Sequence, residues 1–298
     1  MMNWLICGTV PDDNFPLCLG TWMVEKEMLV PVSSFDGSGP IPCVPVRRGT
    51  PALSASAILA ANALSSSPPA LLLAGDQGSG KGSARLYDFL AEWLIKDESA
   101  NIKGLTFHYM FPSVDGHNRI LMALDERKGT RPRLIADAGF MYAAKMSGFA
   151  ARYDVFTPDA GELAFLADEK APHPFYTRGF FLADGQDVPA LARMAFDHED
   201  SAKILLVKGK TDLIVEHGEV TASVSKPCIP FMEPIGGTGD IVTGLLTAFA
   251  SAGIPLFQAC VRAAQAARFA GEAADPTPAT SVSQIMPFIK EGVIRTNA

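Results

Sequence analysis

The sequence predicts an α/β protein of three layers, α/β/α, built on a central and mostly parallel sheet. Two observations carry this. Runs such as Ala70-Leu71-Leu72-Leu73-Ala74, Leu134-Ile135-Ala136 and Ile204-Leu205-Leu206-Val207 are short and apolar at every position, as strands buried on both faces are. They alternate with stretches whose apolar residues recur at helical spacing, which is how βα units read. No repeat or low-complexity linker divides the 298 residues, so one domain is expected over residues 1–298.

Taken in order, residues 1–45 are a divergent N-terminal segment of short strands and loops, including Trp4-Leu5-Ile6-Cys7-Gly8 and Met28-Leu29-Val30-Pro31-Val32. Gly49-Thr50-Pro51 opens an alanine-rich helix that Ser65-Ser66-Ser67-Pro68-Pro69 ends. The strand Ala70–Ala74 runs through a glycine-rich loop into a helix with Leu86, Phe89, Leu90, Trp93 and Leu94 on one face. Leu105–Met110, Leu134–Ala136 and Tyr153–Phe156 are further strands. Thr157-Pro158 stops the last of these, and Glu162 begins a helix. Residues 203–215 give two strands around a Lys-Gly-Lys turn. Ile241, Val242, Leu245, Leu246 and Phe249 then form one face of a helix that Gly253 caps.

Composition narrows the function. A chain 48% apolar and 19% charged is globular. A net charge of −7 supplies no broad cationic face, so neither nucleic acid nor a membrane surface is an expected partner. The apolar stretch from Leu245 to Val261 is broken by Gly253 and Pro255 and is too short to span a bilayer. Five scattered cysteines without CxxC spacing read as reduced thiols, and the N-terminus lacks a signal-peptide pattern. A soluble cytoplasmic protein is expected. His108 and His117, nine residues apart with no third ligand nearby, read as structural or exposed.

The chemistry concentrates in Gly236-Gly237-Thr238-Gly239-Asp240. Glycines let successive N–H groups converge on one point where a helix begins, which makes an anion site. Asp240 falls in the first turn, where the helix dipole favours its charged form. An ionised base then lies beside an anion hole at Gly237, Thr238 and Gly239. An ordinary glycine-rich turn with an acidic cap has the same composition.

Gly75 to Lys81 fits G-x-x-x-x-G-K between a strand and a helix, as a phosphate-binding P-loop requires. The next residue is Gly82 where a P-loop places Ser or Thr, and the hydroxyl arrives one position late at Ser83. The rival reading is a βα turn that merely approaches a ligand closely. Asp137, at the carboxyl end of its strand, sits where open α/β sheets place ligand-contacting residues.

The ordered set of Gly49-Thr50-Pro51, the glycine loop after Leu73, Thr157-Pro158-x-x-Gly161-Glu162, Val207-Lys208-Gly209 and Gly236–Asp240 resembles the ribokinase-like superfamily. Within it, the resemblance is to the ADP- or ATP-dependent NAD(P)H-hydrate dehydratases, over roughly residues 49 to 290. It implies ATP or ADP with Mg²⁺ as cofactors and a small-molecule substrate such as hydrated NADH or NADPH. It assigns Asp240 as the base, Lys208, Gly209, Lys210, Thr211, Asp212 and Gly236 to the nucleotide, and Thr50 and Gly80 to the second substrate. Glu162 belongs with magnesium. Two departures fall where the second substrate would lie: Asp159 replaces the family's histidine, and Asp137-Ala138-Gly139 replaces its Asp-Ala-Asp. The alternatives are a small-molecule kinase of the same superfamily and a nucleotide-binding protein without catalysis. The superfamily also implies a homo-oligomer.

Overall fold

The computed structural model describes residues 2–35, 40–171 and 187–296. The strands, in chain order, are β1 (Trp4–Val10), β2 (Cys18–Glu25), β3 (Met28–Ser34), β4 (Val44–Pro45), β5 (Ala70–Gly75), β6 (Gly104–His108), β7 (Arg133–Ala136), β8 (Val155–Phe156), β9 (Ile204–Val207), β10 (Asp212–Glu216) and β11 (Glu219–Val224). They form a single sheet in the order β11-β10-β9-β8-β7-β6-β1-β5-β2-β3-β4. From β5 through β1 to β9 every pairing is parallel. Antiparallel strands extend both ends, with β10 and β11 beyond β9 and β2, β3 and β4 beyond β5.

The expected sheet is present, and the first 45 residues turn out to be central to it. All seven residues of β1 are buried, and the strand lies between β5 and β6. Its near-continuous apolar run is what a strand covered on both faces needs. The segment looks divergent only because no motif marks it.

Ten helices among the described residues cover the sheet: α1 (Thr50–Ala63), α2 (Lys81–Trp93), α3 (Val114–Glu126), α4 (Phe140–Met146), α5 (Ala160–Ala167), α6 (Val188–Asp197), α7 (Thr238–Ser251), α8 (Leu256–Ala274), α9 (Val282–Ile285) and α10 (Ile289–Arg295). Strand residues alternate between two cores, as the pleat dictates. Ile6, Leu71, Leu73 and Leu206 pack with Leu53 of α1, Leu245 and Phe249 of α7 and Ala263 of α8. Leu5, Cys7, Leu72 and Leu205 pack on the other face with Leu90 of α2, Ile120 of α3, Phe140 of α4 and Phe165 of α5. Each such large apolar side chain contributes about 1.5–3 kcal/mol by leaving water.

Helices α1 and α7 approach unusually closely. A Cβ on Gly244 would overlap Ser56 Oγ and the Leu53 carbonyl oxygen. That proximity sets the start of α1 against the start of α7, where the site lies.

Candidate active site

The parallel strands end at one edge, and the residues that follow them are Pro11, Asp76, Tyr109, Asp137, Thr157 and Lys208. Open α/β sheets place ligands along that edge. Asp240 reaches it from the opposite direction, in the first turn of α7. Gly237 precedes that helix at φ 106°, without a side-chain cap. The first N–H groups of α7, at Thr238, Gly239 and Asp240, have no acceptor within the helix. The Thr238 amide also reaches the Ile235 carbonyl before the helix at 3.4 Å, and a helix start of this kind is suited to an anion.

The carboxylate is fixed on both oxygens. Oδ2 accepts from the Gly49 backbone N–H at 2.5 Å, at the start of α1, and Oδ1 pairs with His108 Nε2 at 3.0 Å. Burial alone would raise the pKa of Asp240, but His108, the Gly49 amide and Lys208 together hold it below the ordinary carboxylate value. Asp240 is therefore ionised at neutral pH. Its side chain is 12% exposed, which leaves one narrow approach.

Lys208 follows β9 and donates to Asp137 Oδ1 at 2.8 Å. Its Nζ lies 3.7 Å from where a Cβ on Gly239 would stand, so the ammonium flanks the amides of α7. Burial would favour the neutral amine, but Asp137 and Glu162 outweigh it and push Lys208 well above its ordinary value. The cation is permanent. Arg48, which sequence reasoning missed, lines the cavity on the other side with its Cδ 3.6 Å from the Cβ position of Gly236. Its only signal was an Arg-Arg pair just ahead of Gly49.

A cavity of about 770 Å³ opens beside Asp240, lined by Gly49, Thr50, Tyr109, Phe111, Tyr142 and Glu162 among others. Tyr109 and Phe111 are half exposed there. Glu162 accepts from Tyr142 Oη at 3.0 Å and from the Asp159 amide at 2.8 Å. Burial, with the Asp159 and Asp137 carboxylates nearby, raises it to about 8 against the opposing Lys208 ammonium and Asp159 amide. A carboxylate so short of positive charge has the donor chemistry a hard cation takes.

Several sequence-assigned residues sit elsewhere. Asp137 is wholly buried, and its Oδ2 accepts from Thr243 Oγ1 at 2.5 Å, so it anchors Lys208 and does not face substrate. Asp159 caps α5 in a reciprocal box with Glu162 and is not among the residues that line the cavity. Asp212 accepts from the Gly209 amide at 3.0 Å and pairs with Arg268 at 2.8 Å. It supports the turn that presents Gly209, Lys210 and Thr211, all three exposed. Gly80 packs against the Phe111 ring, while Gly78 of the same loop reaches the cavity. Thr50 does line the cavity, with its hydroxyl turned to His108 Nδ1 at 3.0 Å.

The P-loop alternative is overturned by Asp76. Its carboxylate accepts from the amides of Gly78, Gly80 and Ser83 and from Ser83 Oγ, all at 2.9–3.0 Å. The donors a phosphate would need are already engaged by a side chain. Lys81 is exposed.

His108, read in the sequence as structural or exposed, belongs to the Asp240 environment. It ends β6, is fully buried and joins Thr50 to Asp240. The strand-end rule that singled out Asp137 would have found it. His117 is structural as expected, pairing with Tyr153 Oη and Ser147 Oγ at 2.8 Å each. His108, Asp137 and Asp240 bring three ligand-type atoms within 4.8 Å, but the Lys208 ammonium already neutralises Asp137 there.

Residues 115–287, more than half of the chain, match the family model described as NAD(P)H-hydrate dehydratase. The chain belongs to this carbohydrate-kinase-like family. The matched range holds Asp137, the Thr157–Glu162 turn, Lys208 and Gly236–Asp240, while Thr50 and His108 precede it. The uncharacterized protein MJ1337 of Methanocaldococcus jannaschii is 35% identical over 76% of this chain and 91% of its own length. Among solved structures, pyridoxal kinase from Entamoeba histolytica superposes with a TM-score of 0.57 at 15% identity, covering 98% of this chain and 97% of its own. A putative phosphomethylpyrimidine kinase from Bacteroides thetaiotaomicron gives 0.55 at 14%, over 94% and 90%. Phosphofructokinase-2 from Escherichia coli, in complex with fructose-6-phosphate, gives 0.52 at 15%, over 99% and 100%. These family members and neighbours place the chain in the ribokinase-like fold. No described helix is long and apolar enough to cross a membrane.

Proposed function

We propose that the protein transfers a phosphoryl group from ATP or ADP to a hydroxyl of a small molecule bound in the cavity. Hydrated NADH or NADPH is the acceptor the family description supports, with subsequent loss of phosphate restoring the dihydronicotinamide. The observation that carries the reading is an ionised Asp240 beside both the uncapped amides of α7 and the cavity wall.

In this reading the acceptor hydroxyl approaches Asp240 from the cavity and gives up its proton to the carboxylate. A P–O bond forms to the acceptor oxygen as the bridging P–O bond of the nucleotide breaks, yielding ADP from ATP or AMP from ADP. The Gly237–Gly239 amides and Lys208 meet the negative charge of the transferring group with donors fixed in advance. Arg48 stands at the same point from the cavity side. Glu162 would hold magnesium, which supplies charge neutralisation to the nucleotide phosphates. In the dehydratase, the phosphorylated carbon then expels phosphate.

A small-molecule kinase is the second reading, and it stops after the transfer. Gly139 favours it, since it removes a carboxylate where the family has one, and Asp159 does too, because it is engaged in a helix cap.

The test is recovery of dihydronicotinamide absorbance from hydrated NADH or NADPH with magnesium and either nucleotide. Recovery that falls about 10²- to 10⁴-fold in Asp240→Asn, the scale of removing a general base, supports the dehydratase. Bound nucleotide without recovery turns the reading to the kinase. Full activity in Asp240→Asn overturns both.

A further inference from the structure

We propose that Thr50 and His108 form with Asp240 a directed hydrogen-bond chain that positions the base. This rests on reading Asp240 as the base. Neither Thr50 nor His108 lies in the range the family model matches, and neither role follows from the glycine-rich motif.

The direction of the chain follows from chemistry. An ionised carboxylate only accepts, so at the 3.0 Å contact with Asp240 Oδ1 the proton lies on His108 Nε2. In the neutral ring Nδ1 is then an acceptor, and Thr50 Oγ1, 3.0 Å away, donates to it. With the ring neutral, all three groups are satisfied in one sense only. The ring has no freedom to turn, because it is fully buried and stands edge to face with Tyr109 at 4.4 Å and 87°.

The fold makes room for this contact. On β1, a Cβ at Gly8 would overlap the His108 carbonyl oxygen and both Oγ1 and Cγ2 of Thr50. Only glycine lets the start of α1 come close enough to the end of β6 for the hydroxyl to meet the ring. The Gly49 amide on Oδ2 completes the hold, so both carboxylate oxygens carry one protein donor each. The remaining groups facing Asp240 are Lys208 beyond β9, Tyr109 beyond β6, Asp137 beyond β7 and Glu162 on α5. None of them replaces the His108 donor, since Lys208 is held on Asp137 and Glu162 on Tyr142.

The experiment has two arms. In the first, ¹⁵N-histidine NMR of the whole protein at pH 8 reads the tautomer of His108, assigned by its shift in Thr50→Val and needing no substrate. The Nε2-protonated form is expected. The Nδ1-protonated form, or a doubly protonated ring, overturns the chain even if Asp240 proves to be the base.

In the second arm, His108→Leu is expected to lower kcat about 10- to 100-fold, the scale of losing a partner that orients a reacting group, with KM for the nucleotide within two-fold. The acid limb of its pH profile moves to higher pH, because Asp240 has lost a donor to its charged form. His108→Gln, which restores an N–H near the place of Nε2, recovers kcat to within about three-fold. A folded His108→Leu with wild-type kcat and an unmoved acid limb overturns the proposal. Where His108→Leu fails to fold, Thr50→Val decides, since an isosteric loss of the hydroxyl that changes neither tautomer nor kcat does the same. Turnover retained in Asp240→Asn would instead remove the base assignment and leave the NMR result standing.

Discussion

Lys81 and Lys208 compete for the phosphate-binding role, and side-chain geometry separates them. Asp76 fills the nest of the glycine-rich loop with its own carboxylate, so Lys81 has no phosphate to meet. Lys81→Ala is expected to leave the nucleotide Kd within two-fold by calorimetry, whereas Lys208→Ala raises it at least ten-fold. The opposite order would restore the P-loop. The two histidines divide in a similar way. His117 is buried among Tyr153, Phe140 and Ser147, and burial pushes its ring down to about 4, against about 6.5 when unfolded. Protons therefore favour the unfolded chain once pH falls below about 6.5. The stability tied to neutral His117 is full above that value and is lost as pH falls through about 4, a change on the order of 3 kcal/mol. Thermal melts from pH 7 to 4 should show a steeper loss for wild type than for His117→Gln, and parallel curves would contradict this. In the sequence His108 and His117 look alike. What distinguishes them is where each lies, one at a strand end on the ligand-binding edge and the other within α3.

Helix α7 is where sequence and structure agree most closely at the scale of elements. Its apolar period was plain, and its end follows the expected glycine cap: the Gly253 amide bonds the Ala250 carbonyl and the Ile254 amide that of Phe249. Gly244 was not legible, because a glycine within a helix carries no sign of what it faces. It faces the backbone of α1. Gly244→Ala should destabilise by about 1–3 kcal/mol, the cost of overpacking, although alanine is the better helix former. Turnover should fall as well, since separating the helices pulls the Gly49 amide from Asp240. A variant as stable as wild type by chemical denaturation would show that the helices part without cost. Strand β11 was missed for a related reason. It forms the edge of the sheet, and five of its six residues are partly or fully exposed, so no buried face imposes an apolar pattern.

For the molecule as a whole, the motifs made the carboxyl half of the site legible, and the topology supplies the rest. Asp240, Lys208, Glu162 and the anion hole lie in segments with glycine or charge signatures. The residues that hold Asp240 from the other side come from α1 and β6, and the room for them comes from Gly8 on β1. Nothing local in Trp4–Val10 announces a strand flanked by two parallel neighbours, because pairing partners 65 and 100 residues away are set by the sheet and not by the segment. The consequence is specific. If residues 1–45 were a divergent appendage, a chain beginning at Val46 would keep its fold and its nucleotide site. With β1 at the centre of the sheet, its removal leaves β5 and β6 without their shared partner and exposes Leu5, Ile6 and Cys7 contacts on both cores. That shortened chain should show no cooperative thermal transition and no nucleotide binding by calorimetry. Adding back residues 2–35 as a separate peptide should restore part of both, whereas a stable, nucleotide-binding chain from Val46 would contradict the central placement of β1.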